Sequence, residues 1–138
     1  MSETILPDLQ SSLLCDDVRR ESNGKFILIG LFDGLGVAAF PAVFHRICLV
    51  NRWCCGCGDF RQESRLIGPD GLTPIATAKP VGIRLPNDMA TATSVEVFLN
   101  VRFETEGAYW VEVLLEGDLK LRYPLQARRV KRKPAQPE

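Results

Sequence analysis

Three cysteines, Cys54, Cys55 and Cys57, form the densest group of chemically versatile side chains in the sequence. The Cys54-x-x-Cys57 spacing is that of half a zinc knuckle, because two thiolates on a tight turn can bind one tetrahedral ion. A structural zinc site needs four ligands, and neither a second CxxC nor a paired-histidine motif follows. The further candidate ligands are all distant in the sequence: Cys15, Cys48 and His45. We therefore expect no cofactor and keep zinc at Cys54, Cys55 and Cys57 as the alternative.

The other reactive side chains form no catalytic pattern. A redox role for the cysteine loop would need a helix N-terminus to lower a thiol pKa, and the sequence predicts none there. His45 is the only histidine, and no serine elbow accompanies it. Asp16 and Asp17 are neighbours on a predicted strand, so in a regular strand they point to opposite faces and cannot serve one acid–base site. We interpret them as part of a salt-bridged strand end, and we expect that the protein is not an enzyme.

The distribution of charge and apolar residues argues against nucleic-acid and membrane partners. The formal net charge is zero, and the run RRVKRK at 128–133 places basic residues after a slightly acidic body. Such runs bind phosphates, but this one is short, and we interpret it as a solvated tail. The segment 1–10 lacks the regions of a secretory signal, and no apolar run is long enough to span a membrane. We expect a cytoplasmic protein with reduced cysteines.

The segment 95–117 organises the predicted fold. Its odd positions through Phe103 are apolar, whereas Glu96, Asn100 and Arg102 between them are polar. This is the period of a half-buried strand. The same period resumes after a glycine, and its apolar side comprises Tyr109, Val111, Val113 and Leu115. The segment therefore predicts two neighbouring strands, adjacent and antiparallel or divided between two sheets.

Turn signals divide the remaining chain into short strands. Asn23-Gly24 predicts a hairpin, and the segment 25–32 after it is apolar at almost every position, which is typical of a strand covered on both faces. Seven or eight strands without helical periodicity predict an all-β fold, an antiparallel two-sheet β-sandwich. The sequence divides into an N-terminal arm at 1–10, the sandwich at 11–128 and a flexible basic tail at 129–138.

One tyrosine adds detail to the predicted architecture. Tyr109 follows the Gly107 corner at the head of the penultimate strand. This placement resembles the tyrosine corner of immunoglobulin-like sandwiches, in which the hydroxyl ties the strand to the preceding connection. The Cys…Trp…Cys framework of immunoglobulins is missing, so the likeness implies an immunoglobulin-like architecture only.

Several segments together resemble a known protein family. They are the stretch CDDVRRESNGKFILIGLF at 15–32, the pair Phe40-Pro41 and the turn Pro69-Asp-Gly71. The chain resembles, over nearly its whole length, a family of small bacterial proteins known only as a domain of unknown function. The resemblance implies a bacterial intracellular β-sandwich and carries no activity with it.

A sheet face gives the leading functional hypothesis. Phe98, Trp110 and Leu114 are apolar where alternation predicts outward-facing polar residues, and aromatic residues at such positions usually signal a covered face. The cover is the N-terminal arm, the proline-rich connection at 72–90, or another chain, with a second copy as the simplest external partner. We therefore predict a non-catalytic interaction module that associates with itself or with another protein. A metal-binding or redox protein is the alternative, and sugar binding through a tryptophan is a weaker third hypothesis.

Overall fold

The computed structural model describes residues 3–131 and is all-β, with two sheets packed on each other. In this part of the chain no helix is long and apolar enough to cross a membrane. The predicted basic tail lies mostly outside the described residues. The strands are β1 (Asp8–Arg20), β2 (Phe26–Phe32), β3 (Gly34–Val37), β4 (Ala42–Cys54), β5 (Gly58–Ile67), β6 (Pro74–Thr77), β7 (Val81–Leu85), β8 (Thr91–Phe103), β9 (Gly107–Leu115) and β10 (Asp118–Arg129).

The strands form a four-stranded and a six-stranded sheet. The four-stranded sheet has the order β2-β1-β4-β8 and curls like half a barrel. The six-stranded sheet has the order β3-β10-β9-β5-β6, and β7 pairs with a different part of β5. All pairs are antiparallel except β3 with β10. The edges of the four-stranded sheet are therefore β2 and β8.

The prediction of seven or eight strands is wrong, since the described chain has ten. One additional strand is the short, glycine-containing β3, which pairs in parallel with the end of β10. A second arises because the segment 72–85 is interrupted at Pro80, so that β6 and β7 each pair with β5. Short strands with weak alternation are difficult to distinguish from turns in a sequence.

The core lies between the inner faces of the sheets. Its largest fully buried side chains include Trp53, Phe98, Phe103 and Tyr109. The predicted tyrosine corner is confirmed, because the Tyr109 hydroxyl donates a hydrogen bond of 2.7 Å to the carbonyl oxygen of Thr105. That bond fixes the start of β9 to the connection before it.

The predicted inward side of β8 is correct after Asn100 and wrong before it. Val101 and Phe103 face the core as alternation predicts, but before them the inward positions are Ser94, Glu96 and Phe98. The change falls at Asn100, whose φ of 52° places it in the left-handed region, while the register with β4 is the same on both sides of it. A one-residue change of phase moves every preceding side chain to the opposite face.

Candidate interaction face

A row of apolar side chains crosses the outer face of the four-stranded sheet. In the register of the sheet, Leu31 lies opposite Cys15, Cys15 opposite Cys48, and Cys48 opposite Val97. Directly opposed residues in antiparallel strands project to the same side. Their sequence neighbours Leu14, Ile47 and Leu49 belong to the core, so this row faces away from it.

The row is part of a larger apolar surface. On one side of it, Leu13 and Val50 are opposed in β1 and β4. On the other side, Leu99 lies on the same face as Val97, two residues further along β8. We call this surface the aliphatic face: Leu13, Cys15, Leu31, Cys48, Val50, Val97 and Leu99.

The aliphatic face has a buried centre and an exposed rim. Cys15 and Cys48 are 0% exposed, whereas Leu31 is 60% and Leu99 66% exposed. Burial, assisted by the neighbouring Cys48, raises the pKa of the Cys15 thiol to about 11. A thiol that stays protonated behaves as a small apolar side chain. The centre of the face therefore adds apolar surface and offers no reactive thiolate.

Nothing in the described chain covers this rim. The segment 25–32 was predicted to be a strand with both faces covered, but Ile29 and Leu31 in it are 45% and 60% exposed. The described part of the N-terminal arm lies elsewhere, with Ile5 paired to Cys57. The segment 72–90 supplies β6 and β7 to the other sheet. The connection at 77–81 borders the aliphatic face at the β8 edge, where it lines one cleft with Val97 and Leu99, but it leaves Leu99 mostly exposed.

Charges of both signs border the face. Asp17 lies 2.8 Å from Arg19 and 3.6 Å from Arg46, measured from carboxylate oxygen to guanidinium nitrogen. A hydrogen bond from the backbone of Val18, together with Arg19, lowers the pKa of Asp17 below its ordinary value. The predicted salt-bridged strand end is thereby confirmed. The border is not strongly charged in either direction, so a partner that meets it needs charges of both signs as well.

The three residues predicted for an interface do not share one surface. Phe98 is 2% exposed and belongs to the core, because the change of phase at Asn100 turns it inward. Trp110 and Leu114 are on the outer face of the six-stranded sheet, where Leu114 is only 8% exposed. The predicted outward position of Phe98 is therefore wrong. An aromatic sheet face built from all three residues does not exist in this fold.

Around Glu112 and Trp110, the outer face of the six-stranded sheet is covered by its own side chains, whereas Leu119, opposite Leu114, is 50% exposed. Glu112 is 5% exposed, and its two carboxylate oxygens accept hydrogen bonds of 2.6 Å from Arg65 and 2.8 Å from Arg122. The Arg122 guanidinium also lies 4.6 Å from the ring centroid of Trp110 and donates to the carbonyl oxygen of Gly71. Trp110 thus has a partner within the chain, which a cation–π contact stabilises.

The cysteine loop does not gather a set of metal ligands. Within residues 3–131, no three histidine, cysteine or acidic side chains lie close enough to hold one ion. Cys54 contacts its sequence neighbour Cys55, and this hydrogen bond raises the Cys54 pKa. The Cys57 thiol instead donates to the carbonyl oxygen of Pro86 at 3.7 Å. The zinc hypothesis stays a prediction, with the two cysteines of the CxxC motif directed to different neighbours.

His45 and the second tryptophan offer no site either. His45 is exposed on its strand, and its ring contacts the side chain of Asn100 at 3.4 Å. This agrees with the prediction of an ordinary strand histidine. Trp53 is fully buried, and its indole N–H donates to the side-chain oxygen of Gln62 at 2.5 Å. A buried indole cannot stack on a sugar.

The sequence analysis missed a polar cluster inside the core. Six buried polar or indole side chains from β4, β5 and β8 meet between the sheets, with Glu96 as the only charged type among them. Alternation predicted Glu96 to face solvent, so only the change of phase at Asn100 explains its burial. No local sequence signal marks the cluster, because its members come from separate strands: Asn51, Trp53, Gln62, Ser64, Ser94 and Glu96.

Comparison with known proteins identifies the family. No curated protein matches the chain. A family model, described as a family of unknown function and designated DUF6941, matches residues 10–128. This range includes all of the aliphatic face and the polar cluster, and it covers most of the chain. The chain therefore belongs to the DUF6941 family.

Proposed function

We propose that this protein is a non-catalytic interaction module that binds a second copy of itself through the aliphatic face. The observation that carries the proposal is the exposure of Leu31 and Leu99 beside a fully buried apolar centre. Contiguous exposed apolar surface of this kind marks interaction sites in soluble proteins. It replaces the predicted aromatic face as the contact surface.

A second copy is the partner that the chemistry of the face favours. A twofold interface brings the same patch on both subunits together, so the patch must complement itself. Aliphatic side chains complement one another because two apolar surfaces can pack together without matched charges or hydrogen bonds. At the border, Asp17 and Arg46 supply opposite charges, so that each copy can offer the other both signs. A partner of strongly acidic or basic character would match this border less well.

The finer features of fold and location are part of the proposal. The Tyr109 corner and the parallel pairing of β3 with β10 support an immunoglobulin-like sandwich. All five cysteines are free, which supports a reducing compartment such as a cytoplasm. The resemblance on residues 15–32 supports a bacterial source.

The test is the subunit number of a variant with a charge on the rim. Leu31→Asp puts a carboxylate into the aliphatic face, and Leu72→Asp is the matched control, because Leu72 is 83% exposed in a loop of the other sheet. We expect native mass spectrometry to find dimers of the wild type and of Leu72→Asp, and folded monomers of Leu31→Asp. A monomeric wild type, or a Leu31→Asp dimer, would contradict the proposal.

The same spectra address the metal alternative. A stoichiometric zinc adduct that disappears in Cys57→Ser would support a metal function for the cysteine loop. A wild type that carries no metal and binds none when zinc is added would rule out the zinc alternative.

A further inference from the structure

The polar cluster contains a carboxyl group whose hydrogen bonds are incomplete. One oxygen of Glu96, Oε1, accepts from the Ser64 hydroxyl at 2.6 Å and from the Gln62 amide. The other oxygen, Oε2, is buried and has no partner among the protein groups. Glu96 as a whole is 3% exposed.

The hydrogen bonds of the cluster converge on Gln62 and Ser64 and reach neither Glu96 Oε2 nor Asn51 Oδ1. Trp53 and Ser94 both donate to the side-chain oxygen of Gln62, at 2.5 Å and 3.0 Å. Asn51 donates through its nitrogen to Ser64 at 3.3 Å. The side-chain oxygen of Asn51 is the second buried acceptor without a partner. Two buried acceptor oxygens, Glu96 Oε2 and Asn51 Oδ1, are therefore left without a donor, and a buried acceptor without a partner is destabilising.

No cation compensates a charge at this position. None of the ion pairs among residues 3–131 includes Glu96. Among the charged groups on the neighbouring elements, Glu63 on β5 repels a negative charge on Glu96. Lys79, on the connection between β6 and β7, lines a surface cleft together with Glu96. Its side chain is exposed and forms no ion pair with Glu96. A carboxylate would be both unpaired and buried.

We propose that Glu96 keeps its proton in the folded protein to higher pH than an exposed glutamate does and that its ionisation loosens the edge strand β8. A protonated carboxyl group has an O–H that can donate, which supplies the missing donor. Burial, reinforced weakly by Glu63, raises the pKa of Glu96 above its ordinary value of 4.5, although Ser64 and Gln62 oppose the rise. The inference is independent of the proposed self-association.

The effect of ionisation should be local to β8. This strand is an edge of its sheet and pairs only with β4 among the described strands. Beside it lies a cleft of about 480 Å³, lined by residues of β8, Thr77, Lys79 and Val81. A newly charged Glu96 can gain water most directly if β8 moves away from the 77–81 connection. Regions with an exposed edge open at lower free energy than the core.

The sign of the pH dependence follows from the raised pKa. In the unfolded chain Glu96 ionises near its ordinary value, whereas the folded protein holds the proton to higher pH. The stability contributed by Glu96 is therefore fully present below the unfolded pKa and is lost as pH rises through the folded pKa.

The first test compares denaturant midpoints across pH at fixed protein concentration. Glu96→Gln keeps the shape and supplies an N–H donor that cannot ionise, and Glu63→Gln is the control that removes a nearby exposed carboxylate. We expect the midpoints of the wild type and Glu63→Gln to fall as the pH is raised from the ordinary glutamate range towards alkaline values. The Glu96→Gln midpoint should fall less over this interval. Equal slopes in wild type and Glu96→Gln would overturn the proposal.

Two measurements on the wild type keep the proposal testable if Glu96→Gln does not fold. Carbon-13 NMR of the glutamate carboxyl groups should find one that keeps its proton to higher pH than the others, and glutamates that all titrate in the ordinary range would overturn the protonation. Hydrogen exchange, corrected for its intrinsic pH dependence, should lose protection first in β8 and at 77–81. Loss spread evenly over both sheets would overturn the local opening.

Discussion

Around Glu112 and Trp110, the outer face of the six-stranded sheet is covered by its own side chains, whereas the rim of the aliphatic face on the four-stranded sheet is exposed. On the first, Arg65 and Arg122 hold Glu112, and Arg122 lies over Trp110. On the second, the side chains of Leu31 and Leu99 are mostly exposed to solvent. A large aromatic residue therefore does not by itself mark an interface, since a neighbouring arginine can cover it.

The two faces also differ in what a substitution should change. The ion-paired face contributes to the stability of a single chain, so its variants should alter unfolding. The rim of the aliphatic face is exposed in a single chain, so variants of the rim should alter association and leave unfolding of the monomer nearly unchanged. The predictions below test this division, beginning with the largest effect.

Phe98 and Leu99 are sequence neighbours on opposite faces of β8, with 2% and 66% exposure. We expect Phe98→Ala to lower the free energy of unfolding by about 3–5 kcal/mol, because it leaves a cavity in the core. Leu99→Ala should lower that of the monomer by less than about 0.5 kcal/mol. Urea unfolding of both variants at a concentration where the protein is monomeric measures the difference. Equal losses would show that β8 has a different orientation.

Glu112→Ala removes the acidic partner of two arginines. Breaking a buried ion pair costs about 3–5 kcal/mol, but Arg65 and Arg122 have side chains that are 40% and 33% exposed, and solvent screening reduces the cost. We expect a loss of about 2 kcal/mol at neutral pH with the association state unchanged. The control Glu63→Ala, at an exposed position of the neighbouring strand, should change the unfolding midpoint little. A Glu112→Ala protein as stable as the control would contradict the account of this face.

Trp110→Glu separates the structure from the sequence hypothesis. The sequence alone predicts that this change yields a monomer, because Trp110 was assigned to the interface. The position of Trp110 beneath Arg122 instead predicts a dimer with a stability loss of about 1 kcal/mol, from the lost cation–π contact. Native mass spectrometry distinguishes the two outcomes, and a folded Trp110→Glu monomer would restore the original hypothesis.

Asp70 should give the smallest effect, visible only in acid. Its carboxylate accepts hydrogen bonds from the Thr73 side chain and backbone and from the Leu72 backbone, and these lower its pKa to about 2. A lowered folded pKa contributes stability above the unfolded pKa that is lost as pH falls through the folded one. We expect Asp70→Asn to unfold earlier than wild type at neutral pH and to approach it at low pH. A difference that persists unchanged into strong acid would rule out this origin.

The sequence predicted the all-β class, most of the strands and the inward side of β9. Those features depend on local alternation, and Tyr109, Val111, Val113 and Leu115 are indeed buried. It also predicted the Tyr109 hydrogen bond, because glycine and tyrosine lie close together in the chain. Interactions between near neighbours in the sequence leave a readable pattern.

The aliphatic face and the polar cluster could not be predicted from local alternation. Asn100 alone reverses the faces of the preceding half of β8, and nothing in the residue type requires a positive φ. The aliphatic row takes one residue from each of four strands, so it exists only after the register is known. The one available signal was the uninterrupted apolar segment 25–32, which indicated a cover that the described chain does not supply.

The most direct test of the central claim is methyl NMR of the leucines during dilution. If a second copy covers the aliphatic face, the methyl resonances of Leu13, Leu31 and Leu99 should shift with protein concentration, while those of Leu72 stay fixed. Leucine resonances that are all independent of concentration would contradict the claim, and so would shifts confined to Leu114 and its neighbours on the other sheet.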